Sequence, residues 1–275
     1  MSYILIVIFF LAIFAKFFMF FNKKNFSKEK YCNIVQRINT WFIIIFIVFI
    51  ASLNKITMLI LFSIISFLAC REFFSLYEKR LNSKLNFFIV TNILIFYISI
   101  YYRSLVIFVL SLIFSFLIAL CSKEIKIFLC SFIINIYMLG AINTLTDIKL
   151  IISLLVLIEA NDVFQYIVGN LYGRYKISPK ISPNKTLEGL LGGIILTTIF
   201  SIFIKIFFEK NLILTIAPLI SLLGFLGDIF ISYFKRKFNR KDSGTLLKGH
   251  GGILDRVDSL IFNSIFLALI YNLTL

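Results

Sequence analysis

The chain has 275 residues, 60% of them hydrophobic, with a mean hydropathy of +1.00 and a formal net charge of +15. Its repeated apolar runs, each roughly 15–20 residues and so about enough to cross a ~30 Å hydrocarbon layer as a helix, exclude a water-soluble globular domain. The charge is spread over short loops flanking those runs, which sets nucleic acid aside and points to membrane topology and anionic headgroups.

In chain order the apolar runs fall near 3–21, 39–53, 56–70, 86–102, 104–121, 127–145, 148–161, 189–208, 212–227 and 259–274. The expected fold is therefore all-α and polytopic, with about ten transmembrane helices. Residues 1–160 carry seven spans, and residues 161–275 form a C-terminal catalytic region with polar loops at 162–188 and 228–258. The run at 148–161 is short and ends in Glu159, Asn161 and Asp162, so it is expected to stop within protein, below the membrane surface. The first run lacks a basic n-region and a small-residue cleavage site, and reads as an anchor. Cys32, Cys70, Cys121 and Cys130 show no metal-ligand spacing and read as reduced, structural residues.

Basic residues stay on the cytoplasmic side of a membrane. Alternate loops, at 22–38, 71–86, 122–126, 162–188 and 228–258, hold 22 of the 28 Lys and Arg residues. The bias predicts both termini outside and the two long polar loops in the cytoplasm of a cell with a bacterial-type inner (plasma) membrane.

Asn161 to Gly193 is the first polar segment. Pro179 and Pro183 interrupt any helix through its middle, and Ser182, Lys185 and Thr186 then precede a new helix with Glu188 in its first turn. A helix N-terminus beside such residues suits an anion. Equally, Ser182 or Thr186 can serve only as a cap, and Gly192-Gly193 only as a close-packing face. Lys185 is the residue best placed by sequence to meet a substrate phosphate.

Gly227 to Asp258 holds the second. Asp228 closes an apolar span, where a lone carboxylate costs about 2.5–3.5 kcal/mol unless it meets a cation. Asp255 and Asp258 are three residues apart and share one face of a helix, with Arg256 turned aside. Should that face approach Asp228, three carboxylates can hold a hard divalent ion such as Mg2+. Lys235, Arg236, Lys237, Arg240, Lys241 and Arg256 are interleaved with Gly244, Gly249, Gly251 and Gly252 around the single histidine, His250. Small residues let backbone N–H groups approach phosphate, and the cations offset its charge. Each part has a plainer reading: the KRKFNRK run as a positive-inside flank, His250 as a loop-shaping residue, the Asp255–Arg256–Asp258 group as a helix-end ion-pair cluster. Their concentration within about thirty residues favours phosphoryl or nucleotidyl transfer.

The stretch SYFKRKFNRKDSGTLLKGHGGILDRVD, Ser232 to Asp258, resembles the hallmark motif of the phosphatidate cytidylyltransferase (CDP-diglyceride synthetase) family. The upstream SPNKTLEG with Gly192-Gly193, and Asp162 before Gly169 and Gly173-Arg174, follow the family's order, so the resemblance covers residues 160–275. Lys248 stands where the family usually has Pro, Gly or Ser, and Leu187 replaces a commoner Trp; both bear on loop shape. The resemblance implies an integral membrane enzyme joining CTP and phosphatidic acid into CDP-diacylglycerol with release of pyrophosphate. It further implies a metal centre of Mg2+, with K+ as a companion ion, on Asp228 and Asp255. Lys241, Arg256 and Asp258 complete the expected catalytic set. Ser182, Lys185, Thr186, Lys235, Arg236, His250 and Gly251 form the expected substrate-binding set. A homodimer is left open.

Three other classes stay in view. A CTP-dependent lipid or polyprenol kinase would use the same metal logic, and a transporter of an anionic solute would want charges near the midplane of paired halves. A CDP-alcohol phosphotransferase would carry a D-G-x-x-A-R pattern, which does not occur here.

Overall fold

In the computed structural model, residues 46–77, 148–208, 211–246 and 251–274 are described continuously, with single residues and short pieces between 39 and 146. The expected spans near 3–21, 86–102, 104–121 and 127–145 lie wholly or largely outside the described residues, as does His250. Among the described residues the regular structure is helical apart from one hairpin. Helix α1 is Lys55–Tyr77, and a 3-10 turn follows at Asn135–Tyr137. Then come α2 (Ile148–Tyr172), β1 (Lys176–Ser178), β2 (Ser182–Thr186), α3 (Leu187–Phe208), α4 (Asn211–Lys237), α5 (Leu254–Val257) and α6 (Leu260–Thr274). Among the described residues, four helices, α1 to α4, are long and apolar enough to cross a membrane, and α6 is a shorter apolar helix. The protein is a membrane protein.

Three boundaries differ from the sequence reading, each because polar residues ride on a continuing helix. α2 does not stop at residue 161 but runs to Tyr172, carrying Asn161, Asp162 and Gln165 on its side. α1 runs past Cys70 through Arg71 and Glu72 to Tyr77. Asp228 does not end its helix either: α4 continues for nine residues to Lys237, so the loop expected from 228 begins as more than two further turns. The three basic residues Lys235, Arg236 and Lys237 in the last turn also suit the negative end of the helix dipole.

The hairpin departs from an all-helical expectation. Pro179 follows Ser178 at the second position of a tight turn, where its fixed φ is favoured, and Ile181 N–H donates to Ser178 O at 3.1 Å. The strands pair antiparallel with Lys176 opposite Thr186. Thr186 then caps α3, its Oγ1 accepting from Gly189 N–H at 3.1 Å, while the Glu188 carboxylate accepts from Arg174 N–H at 2.9 Å.

Small residues set the closest helix contact. Gly192 lies on the Val168 side chain and Gly193 on that of Gln165, so the side chains of α2 press directly on the bare backbone of α3, the close-packing role read for this pair. An aromatic cluster joins the N-terminal half to α4: Phe73 meets Phe234 edge-on at 5.3 Å, and Tyr77 meets Phe238 at 4.4 Å. Cys70 and Cys130 are buried free thiols, as read from sequence.

Candidate active site

The spacing of α4 places Asp228, Ser232 and Lys235 on one helix face, four and three residues apart. Ser232 Oγ donates to Asp228 Oδ1 at 3.2 Å. From the hairpin, Lys185 reaches the same carboxylate, Nζ to Oδ2 at 2.7 Å, over the face of Phe225. One turn past Ser232, Lys235 Nζ pairs with Asp255 Oδ1, also at 2.7 Å. The other oxygen of Asp255 accepts from Ser243 N–H at 2.8 Å, Gly252 N–H at 2.9 Å and Ser243 Oγ at 3.0 Å.

These two ion pairs line one cavity of about 340 Å³. Lys185, Lys235 and Arg256 supply its positive charge, and Asp162, Asp228, Asp242, Asp255 and Asp258 its negative charge. Burial works against the charge on Lys185, but the carboxylates of Asp228 and Asp162 outweigh it and hold the ammonium's pKa above its ordinary value. Burial likewise opposes ionisation of Asp255, yet Lys235 and the amides of Gly252 and Ser243 hold its carboxyl below the usual range. Asp258 goes the other way: full burial, then the Asp228 carboxylate, push it well above.

The predicted residues therefore divide. Asp228, Asp255, Asp258, Arg256, Lys185 and Lys235 are brought together, with Thr186 also on the cavity wall. Arg256, expected to turn aside, joins the wall. Ser182, Lys241, Arg236 and Gly251 lie outside the lining. Arg236 is occupied elsewhere, its Nε donating to Ile181 O at 3.1 Å and Nη1 to Arg240 O at 3.0 Å, which fastens α4 to the hairpin. Gly251 has φ of +81°, a left-handed conformation that glycine adopts freely, and that geometry accounts for it.

The glycine loop also differs from expectation. The N–H groups of Gly252, Ile253 and Leu254 are taken by protein carboxylates: Gly252 donates to Asp255, Ile253 to Glu72 Oε1 at 3.0 Å and Leu254 to Glu72 Oε2 at 2.8 Å. A methyl group at Gly244 would stand 2.7 Å from Glu72 Oε1, and one at Gly252 would collide with Glu72 Oε2 and Ser243 Oγ. Small residues are needed there to admit Glu72, a residue the sequence reading did not select. Its sequence signal is slight: an acid next to Arg71 at the end of an apolar run. Asp162, Gln165 and Asp242 were likewise unassigned, yet all three line the cavity.

The donor set fits a hard divalent cation. Asp258 aside, four carboxylates, Asp162, Asp228, Asp242 and Asp255, face three basic heads, an excess of acids that favours entry of a polyphosphate together with cations. Asp162 Oδ1 is buried without a hydrogen-bond partner. Among the described residues no three acidic side chains converge as a cage, and Asp228 and Asp255 each face a lysine. A metal held there would need further ligands from water and substrate.

Helix junctions keep the site narrow. A methyl group at Gly227 would collide with the backbone carbonyl of Asp258, so α4 and the link between α5 and α6 touch backbone to backbone. Gly227→Ala is expected to destabilise the protein by about 1–3 kcal/mol through overpacking, seen as a lower unfolding temperature in detergent. An unchanged midpoint would show that this junction can yield.

A family model described as "Cytidylyltransferase family" matches residues 35–274. Among curated relatives, the uncharacterized protein YnbB of Escherichia coli K12 is 47% identical over 130 residues, covering 46% of this chain and 44% of that protein. A phosphatidate cytidylyltransferase of Staphylococcus saprophyticus is 50% identical over 105 residues, 37% of this chain and 40% of its own length. That of Staphylococcus aureus strain COL is 45% identical over 105 residues with the same coverage. The chain thus spans less than half the length of each of these relatives.

Proposed function

The chain belongs to the cytidylyltransferase family, and from that membership we propose that it is a phosphatidate cytidylyltransferase, a nucleotidyltransferase forming CDP-diacylglycerol and pyrophosphate from CTP and phosphatidic acid in phospholipid biosynthesis. One observation carries the reading: two lysine–aspartate pairs from three separate elements line a single cavity whose acids outnumber its bases. An oxygen of the lipid phosphate attacks the α-phosphorus of CTP, and the bond to the bridging oxygen of the β-phosphate breaks. The nucleophile is already an anion, so the site requires no strong base; alignment and charge neutralisation do the work.

Lys185, Lys235 and Arg256 steady phosphate oxygens as the lysines exchange carboxylate partners for substrate. Asp228 and Asp255 would then be the residues to hold Mg2+, with K+ as a companion ion, which when bound would supply charge neutralisation for the triphosphate. Asp258, buried and held toward its neutral form, keeps the lining from accumulating further negative charge. Lys241, His250 and Ser182 remain candidates for the outer approach of CTP.

Purified protein given labelled CTP, phosphatidic acid and Mg2+ is expected to release pyrophosphate and a labelled lipid, and chelation of the metal with EDTA to stop both. Release of CDP with phosphorylation of a lipid alcohol would establish the kinase instead.

The active site faces the cytoplasm of the inner membrane in a chain of ten spans, a reading supported by the 22 of 28 basic residues in alternate loops. A reporter fused after Leu275 is expected to score as non-cytoplasmic; a cytoplasmic signal would put the span count off by one.

A further inference from the structure

Glu72 lies near the end of α1, more than 170 positions before the residues it holds. Its carboxylate accepts from Ile253 N–H at 3.0 Å, Leu254 N–H at 2.8 Å and Ser243 Oγ at 3.1 Å. Ser243 Oγ is also 3.0 Å from Asp255 Oδ2, and Ser243 N–H donates to that same oxygen at 2.8 Å. A hydroxyl has one hydrogen, so it bridges the two carboxylates by donating to one at a time. Asp255 is thereby oriented at both ends: Oδ2 is fixed in a cradle that rests on Glu72, and Oδ1 is left facing Lys235 and the cavity. Glu72 itself does not line the cavity. Two glycines, Gly244 and Gly252, leave room for its carboxylate and for nothing larger than hydrogen on their own α-carbons.

We propose that Glu72 is a positioning residue for the transfer reaction, acting through Ser243 and the 252–254 backbone to aim the Asp255 carboxylate at the cavity. The proposal rests on the cytidylyltransferase reading and adds a residue from the N-terminal half of the chain to it. Glu72→Gln keeps the size of the side chain but presents an NH2 group to donors, so one of its contacts must open. Substrate contacts are untouched, and the loss therefore appears in kcat.

The test compares wild type, E72Q and E72D in detergent with CTP and phosphatidic acid. E72Q is expected to lower kcat at least tenfold while KM for CTP stays within about threefold, and E72D, which keeps the charge one methylene shorter, to fall between the two. Hydrogen exchange read on peptides spanning 251–257 should quicken at least tenfold in E72Q and stay unchanged in α3. Wild-type kcat in both variants overturns the proposal, as does a loss that merely follows the fraction of folded protein. Should E72Q not be recovered folded, E72D decides on the same two readouts. The exchange measurement needs no turnover: if wild type makes no CDP-diacylglycerol, the reaction reading fails, while unchanged exchange in 251–257 still overturns the role of Glu72.

Discussion

Asp228→Asn should reduce CDP-diacylglycerol formation by at least the roughly hundredfold that follows loss of a key electrostatic contact, and should do so with the fold intact. The substitution removes the charge that meets Lys185 Nζ at 2.7 Å and replaces one acceptor oxygen by a donor. Lys185 is not stranded, because the Asp162 carboxylate also acts on it and its Nζ donates to Gln165 Oε1 at 3.4 Å. The protein is accordingly expected to unfold within a few degrees of wild type, while turnover with CTP and Mg2+ is lost. Near-normal turnover would remove Asp228 from the chemistry.

Asp255→Asn is expected to cost as much activity and, in addition, stability. Both partners of the Lys235–Asp255 pair are largely buried, with side-chain exposures of 10% and 6%. Breaking a buried pair by removing one member typically costs about 3–5 kcal/mol, because the other charge is left uncompensated. The asparagine oxygen can still accept from Ser243 and Gly252, but its NH2 group then faces the Lys235 ammonium. A fall in unfolding temperature accompanying the loss of turnover separates this variant from Asp228→Asn. Asp255→Asn with wild-type stability would show that Lys235 finds another partner.

Residues whose chemistry is local were legible from the chain alone. The Asp228, Asp255 and Asp258 carboxylates, Lys185 and Arg256 all reach one cavity, and each is marked by charge at the edge of an apolar run. The hairpin was legible only as an interruption: Pro179 and Pro183 exclude a helix, but nothing local shows that Lys176 will face Thr186. Helix ends were misplaced wherever polar side chains appear before the helix stops, at Arg71, Asn161 and Asp228, because backbone hydrogen bonding continues where hydrophobicity does not.

Distance across elements was the other limit. That Lys185 would meet Asp228, and Lys235 Asp255, depends on how α4 sits against the hairpin and α5. Glycine was the most misleading signal. Gly244 and Gly252 suggested backbone amides open to phosphate, whereas the Gly252 amide is taken by Asp255 and the next two, of Ile253 and Leu254, by Glu72, an acid whose partners lie far along the chain.

The central claim is that the carboxylates of Asp228 and Asp255, placed on one cavity by α4 and α5, hold a cation between nucleotide and lipid headgroup. Mn2+ substituted for Mg2+ and followed by electron paramagnetic resonance tests it without requiring turnover. The account predicts that wild-type protein with CTP binds Mn2+ and that Asp228→Asn and Asp255→Asn each weaken that binding at least tenfold. Equal Mn2+ binding in all three proteins would contradict it.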